Sequence, residues 1–273
     1  SIGDDEFYGP CYLDLLLNEN IIPIFEQIPN GMTGICIVIC CNQDRAHLTD
    51  LGCSTEISKD FFDRNWSIFK NLKLICTELF ILRKQIDISF KLAELGLKDD
   101  CIYGFNLPAK FFLENDKENI AKICEYADII FSNYSEALCF LSVLGIKTNS
   151  SIIDVAEKLC KEIPKKNKNK KRVIVVTAGP DPAACCQYDF KTEKFLFSDC
   201  FPVINVPPEN IIDTNGAGDS FAGGFLSQFV KGKSLDKCVI AGHWAASTII
   251  QKRGCQLPVD IRYVPEEEYE KKE

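Results

Sequence analysis

The chain has 273 residues, 46% hydrophobic and 26% charged, which suits one large α/β domain with an appendage. A formal net charge of −8 removes any general pull toward nucleic acid or anionic membrane, so that any phosphate it binds must be held locally by helix amides and a few chosen cations. Fifteen cysteines with two histidines and no Cys-x-x-Cys argue against zinc, and for reduced, mostly buried thiols in a cytoplasmic protein.

The opening SIGDDEFYGP has neither a basic nor an apolar region and does not read as a signal peptide. No run of about 18 apolar residues is present to span a bilayer. Phe7, Tyr8, Cys11, Tyr12, Leu15 and Leu16 recur at helical spacing and predict a helix over 7–19. The runs 21–26 and 34–41 flank the turn-forming PNGMT and predict two paired strands in a β-rich piece. From about residue 58, short apolar runs alternate with helical stretches. Strands are expected at 72–76, 101–107, 128–131 and 173–177. Helices are expected near 85–96, 117–126, 134–144, 151–162, 217–231 and 235–252. Such alternation predicts βαβ units and a mainly parallel sheet covered on both faces. KKNKNKKR (165–172) reads as a solvated loop, and the acidic tail 266–273 as disordered.

The stretch DTNGAGDS (213–220) stands apart. It does not complete the dinucleotide fingerprint, because position 221 is Phe, and the competing Gly232-Lys233-Ser234 does not complete a Walker loop, because position 227 is Ser. What remains is two glycines and a carboxylate where a helix begins. Glycines let backbone amides approach a ligand, and a helix N-terminus adds unpaired N–H groups and partial positive charge. An aspartate there makes sense as the acceptor of a proton from a hydroxyl that attacks phosphorus. The competing reading is a capped helix behind a glycine turn.

The run DTNGAGDSFAGGFL (213–226) resembles the signature of the ribokinase-type carbohydrate kinases, in the form found among adenosine kinases. GFNLPAKF (104–111), ADIIFSNYSEA (127–137), AGHWAASTII (241–250) and RGCQLP (253–258) are similar to segments of the same kinases in the same order. The resemblance implies a ribokinase-like three-layer sandwich with a mainly parallel central sheet and a small β-rich lid. It implies a large α/β domain from 1–19 and 56–273, and a lid over 20–55. The activity implied is transfer of the ATP γ-phosphate to the 5′-hydroxyl of adenosine, with Mg²⁺, in purine salvage.

Carried over by position, Asp219 is the base and Arg45 a lid cation that reaches the phosphates. Asn215, Gly216, Ala217 and Gly218 form the anion hole. Asn133 and Glu136 organise Mg²⁺, Glu136 through water, while Thr177, Gly179 and His243 lie on the ATP side. Phe80, Cys36 and Leu51 face the nucleoside, and a monovalent cation is possible near Asp213 and Asn215. The partners implied are adenosine and ATP, with no nucleic acid or membrane, and the expected state is a monomer.

This sequence departs from the family at Glu78, where the family prefers Gly, and at His47 and Thr49, where it tends to be apolar. These residues also include no counterpart of the family's early aspartate and Gly-Gly-x-x-x-Asn segment, which grip the ribose. Two alternative readings follow: a non-catalytic remnant of the kinase fold, and a related sugar or nucleoside kinase.

Overall fold

The computed structural model describes residues 1–41, 44–255, 258 and 261–264, and for residues 40, 41, 44, 45, 47, 80 and 83 the backbone alone. The chain forms two compact units, one of residues 1–72 and 81–92, the other of 73–80 and 93–273.

The first unit holds β1 (Ile2–Gly3), α1 (Tyr8–Asn18), β2 (Gln27–Ile28), β3 (Ile35–Cys41), β4 (Asp44–Asp50), α2 (Lys59–Arg64) and α3 (Trp66–Phe69). Asp5 anchors the start of α1, accepting from the Tyr8 and Gly9 amides at 2.6 and 3.1 Å. Its other oxygen accepts from the Thr33 amide at 3.0 Å and from the Thr33 hydroxyl. These donors, the Thr33 hydroxyl foremost, hold the Asp5 carboxyl well below the usual range. β3 pairs antiparallel with β4, Ile35 opposite Asp50. The expected pairing of 34–41 with 21–26 is therefore corrected, since 21–26 is not a strand. Pro23 explains it: a residue without an N–H inside IIPIFE demotes the run, whereas β4 follows β3 closely enough to pair locally.

The second unit is built on β5 (Leu74–Glu78), β6 (Ile102–Asn106), β7 (Ile129–Asn133), β8 (Arg172–Ala178), β9 (Asp181–Asp189) and β10 (Lys194–Phe201). After β5 the chain runs through α4 (Ile86–Leu95), whose last three residues belong to this unit. The other helices are α5 (Lys110–Asn115), α6 (Lys117–Cys124), α7 (Tyr134–Val143), α8 (Ile152–Glu162), α9 (Ala217–Phe229) and α10 (Leu235–Ile249). The strand order is β10-β9-β8-β7-β6-β5. β5 to β8 are parallel, and β9 and β10 add an antiparallel margin that the apolar pattern does not announce.

Alternation along the strands serves both faces. Ile129, Phe131, Val173 and Val175 pack with Phe221, Phe225, Leu235 and Val239 of α9 and α10. The intervening Ile130, Ile174 and Val176 are equally buried, and α8 packs on β8 and β9. This is the ribokinase-like architecture, with helices on both sides of a mostly parallel sheet. Gly224 lets α9 and α10 close up, because a Cβ there would lie 2.5 Å from the Ala241 carbonyl oxygen.

The basic run 165–172 is not simply a solvated loop. Lys165 and Arg172 are buried, and Lys165 Nζ lies 2.7 Å from Asp128 Oδ1, while Lys170 bonds the other oxygen. Arg172 donates to the carbonyls of Cys124, Ala127, Cys160, Ile163 and Pro164 at 2.6–3.4 Å. Those carbonyls close the C-terminal ends of α6 and α8, where unpaired acceptors and the negative end of the helix dipole draw a cation inward.

Candidate active site

The parallel strands end side by side. Glu78 closes β5 opposite Asn106 of β6, and Asn133 closes β7 opposite Thr177 of β8. Ligands of open α/β sheets bind at this carboxyl edge. Asn106 Nδ2 donates to Glu78 Oε1 at 2.8 Å, which fixes the carboxylate.

α9 delivers the DTNGAGDS stretch to the same unit. Gly216 precedes the helix with φ +70°, a left-handed backbone that turns the chain into the first turn at little cost only for glycine. Asp213 braces the turn: Oδ1 accepts from the amide and the side chain of Asn215 at 2.9 and 2.6 Å, and Oδ2 from the Gly254 amide at 3.0 Å. The first-turn amides of Gly218 and Asp219 have no acceptor within their own helix. Among the described residues a Cβ on Gly218 would meet no atom within 4 Å, so the helix start is open on that side, whereas a Cβ on Gly216 would stand 2.9 Å from Cys255 Sγ.

Asp219 is exposed and faces a cleft of about 510 Å³ that it lines together with Cys76, Glu78 and Asn106. Ala222, Gly223 and Leu226, one to two turns further along α9, form its apolar wall. Burial raises the Glu78 pKa; the Asn106 bond opposes the shift, and the charges of Asp219 and Glu136 add to it. The Cys76 thiol is pushed up to about 11 by burial and then by Glu78 and Asp219. Three carboxylates thus share one electrostatic environment, contributed by β5, α7 and α9.

Asn133 and Glu136 form a reciprocal cap on α7, and burial raises the Glu136 pKa. Thr177 lies beside Asn133 in register, and Gly179 begins the turn between β8 and β9 with φ +61°. His243 of α10 is buried against α9. Its ring meets Phe221 edge-on at 5.1 Å. Among the described residues Nε2 is buried without a hydrogen-bond partner, and burial lowers the pKa of the ring. Cys36 on β3, Arg45 on β4 and Leu51 just after it belong to the first unit. There the Thr49 hydroxyl donates to Cys36 Sγ at 3.2 Å. The side chains of Arg45 and Phe80 lie outside the described residues. Cys76 and Asn106 were not among the sequence candidates. The signal that finds Asn106 is a polar residue closing an apolar run at the carboxyl end of a parallel strand.

Residues 1–262 match the model of the pfkB family carbohydrate kinases. The chain is 33% identical over 235 residues to adenosine kinase 2 of Arabidopsis thaliana, covering 85% of this chain but 65% of that relative's length. It is 31% identical over 272 residues to the adenosine kinase of Schizosaccharomyces pombe, covering 97% of this chain and 76% of the relative. Among solved structures, Anopheles gambiae adenosine kinase in complex with P1,P4-di(adenosine-5) tetraphosphate superposes with a TM-score of 0.84. The identity there is 26%, over 93% of this chain and 73% of that one. No described helix is long and apolar enough to cross a membrane.

Proposed function

The chain belongs to the pfkB family carbohydrate kinases, and from that membership we propose that it transfers the γ-phosphate of ATP to the 5′-hydroxyl of adenosine. The observation that carries the reading is the placement of Asp219. It is an exposed carboxylate in the first turn of α9, behind a left-handed glycine, facing a cleft at the carboxyl edge of a parallel sheet. Asp219 takes the proton of the attacking hydroxyl. In the anion hole formed by Asn215, Gly216, Ala217 and Gly218, the glycine amides and the partial positive charge of the helix start serve the phosphoryl group as its charge shifts in the transition state, while the Asn215 amide is held by Asp213 and the Ala217 amide by the Thr214 carbonyl.

ATP lies toward Thr177 and Gly179, next to Asn133 in register. The oxygen-bearing residues at the end of β7 and the start of α7, Asn133 and Glu136, suit a hard divalent cation such as Mg²⁺. Glu136 would hold it through water, and when bound the ion neutralises phosphate oxygens. Arg45 and the β3–β4 ribbon are assigned to a lid that closes over the substrates and excludes water. Phe80, Cys36 and Leu51 are assigned to the nucleoside, His243 to the ATP side, and the whole to a cytoplasmic, monomeric purine-salvage enzyme.

The test is AMP formation from adenosine and ATP. Asp219→Ala, at an exposed position, is expected to keep the fold and to lower kcat by about a hundredfold to ten-thousandfold. A loss under tenfold removes the base assignment.

A further inference from the structure

Glu78 is a second carboxylate in the cleft that holds Asp219, and phosphoryl transfer as set out above leaves it without a task of its own. It closes β5, and its Oε1 accepts from Asn106 Nδ2 at 2.8 Å, so its head group is fixed in place. Asp219 reaches the same volume from α9. Two negative groups on different elements therefore face one space of about 510 Å³, and none of the described residues lining it is basic. Ala222 and Leu226 give that space an apolar side. Such a lining suits an uncharged ligand that offers hydroxyl donors at one end and apolar surface at the other. It opposes a ligand that carries phosphate, because two exposed carboxylates on one side of a cleft repel a phosphate placed within a few ångströms of them, most strongly at low salt.

We infer that Glu78 is a specificity-determining residue, a fixed negative group that reserves the cleft for an uncharged, hydroxyl-bearing acceptor and weakens binding of its phosphorylated product. This rests on the phosphotransfer reading above and adds to it a reason for the product to leave. The repulsion acts within the cleft itself: after burial, the charges of Asp219 and Glu136 push the Glu78 pKa up. A dianionic phosphate placed near Asp219 meets the same field.

Calorimetric titration of the full chain with adenosine and with AMP, in buffer free of divalent metal, tests this with Glu78→Gln. Glutamine keeps the length of the side chain and an oxygen for Asn106, so the strand end is preserved. The variant is expected to bind AMP about tenfold more tightly while adenosine affinity stays within about threefold. An unchanged ratio of AMP to adenosine affinity overturns the inference. So does an equal change in both affinities, which marks Glu78 as merely structural. If the unmodified chain binds neither ligand, the adenosine reading falls as well, a signature distinct from binding with an unaltered ratio.

Discussion

Asn133 and Glu136 cap each other across the first turn of α7. Asn133 Oδ1 accepts from the Glu136 amide at 2.9 Å, and Glu136 Oε2 accepts from the Asn133 amide at 3.3 Å. The pair satisfies two helix donors that have no intrahelical partner, which is a sufficient structural reason for both residues. The same pair stands at the carboxyl edge of the sheet, within the field of Glu78, and is assigned above to Mg²⁺. Stability and chemistry are separable here, because the capping role needs only an acceptor while the metal role needs a charge.

Glu136→Gln is therefore expected to leave the unfolding free energy within about 0.5 kcal/mol, since Gln completes a capping box as Glu does. Apparent Mg²⁺ affinity in the kinase assay should fall by about 10- to 100-fold. Glu136→Ala should lose both, with a stability cost of about 1 kcal/mol. Chemical denaturation alongside Mg²⁺ titration of activity measures the two effects. A Gln variant with ordinary Mg²⁺ dependence would leave Glu136 as a cap alone.

Gly216→Ala tests the turn that admits the anion hole. Its φ of +70° costs an L-residue about 1–2 kcal/mol, and the new Cβ would stand 2.9 Å from Cys255 Sγ. Two costs are thus combined, one in the backbone and one in the neighbour. Adding Cys255→Ala relieves only the second. The double variant should remain at least about 1 kcal/mol less stable than Cys255→Ala alone in urea unfolding. Full recovery would show that the contact, not the backbone, requires glycine.

Much of the site is legible in the sequence because it is local. Asp213, Asn215, Gly216 and Asp219 lie within seven residues, and helix-start chemistry brings them together whatever surrounds them. The apolar runs that became β6 to β8 are legible for the same reason, being buried on both faces. The pairing of Glu78 with Asn106 joins residues 28 apart through strand register, which no local pattern encodes. The basic run misleads in a related way. Arg172 is drawn in by carbonyls at two helix ends, and those acceptors exist only once α6 and α8 are packed. β9 is masked because four of its five buried positions are Ala183, Ala184, Cys185 and Cys186, a continuous small run without alternation and without β-branched residues, and only Tyr188 beyond them is large.

Lys165 offers a test of that buried network with a defined sign. Its Nζ shares a single carboxylate, Asp128, with Lys170, and Arg172 lies close by. One negative charge divided between two ammonium groups does not offset burial, and the Lys165 pKa is lowered to about 8, by desolvation first. An unfolded lysine titrates near 10.4. Between these values the unfolded chain binds a proton at this site that the folded chain has released. Stability due to Lys165 therefore rises with pH across the window, after a constant penalty below pH 8. Lys165→Met removes the group while Asp128 keeps Lys170 and the Tyr103 amide as donors. The stability difference, wild type minus variant, should grow in favour of wild type by about 1–3 kcal/mol between pH 8 and pH 10.5. Urea unfolding at half-unit pH intervals measures it, and taking the difference cancels the other lysines, tyrosines and thiols that titrate in the same range. A difference that shrinks with pH would mean that the Asp128 charge outweighs burial and that the Lys165 pKa is raised instead.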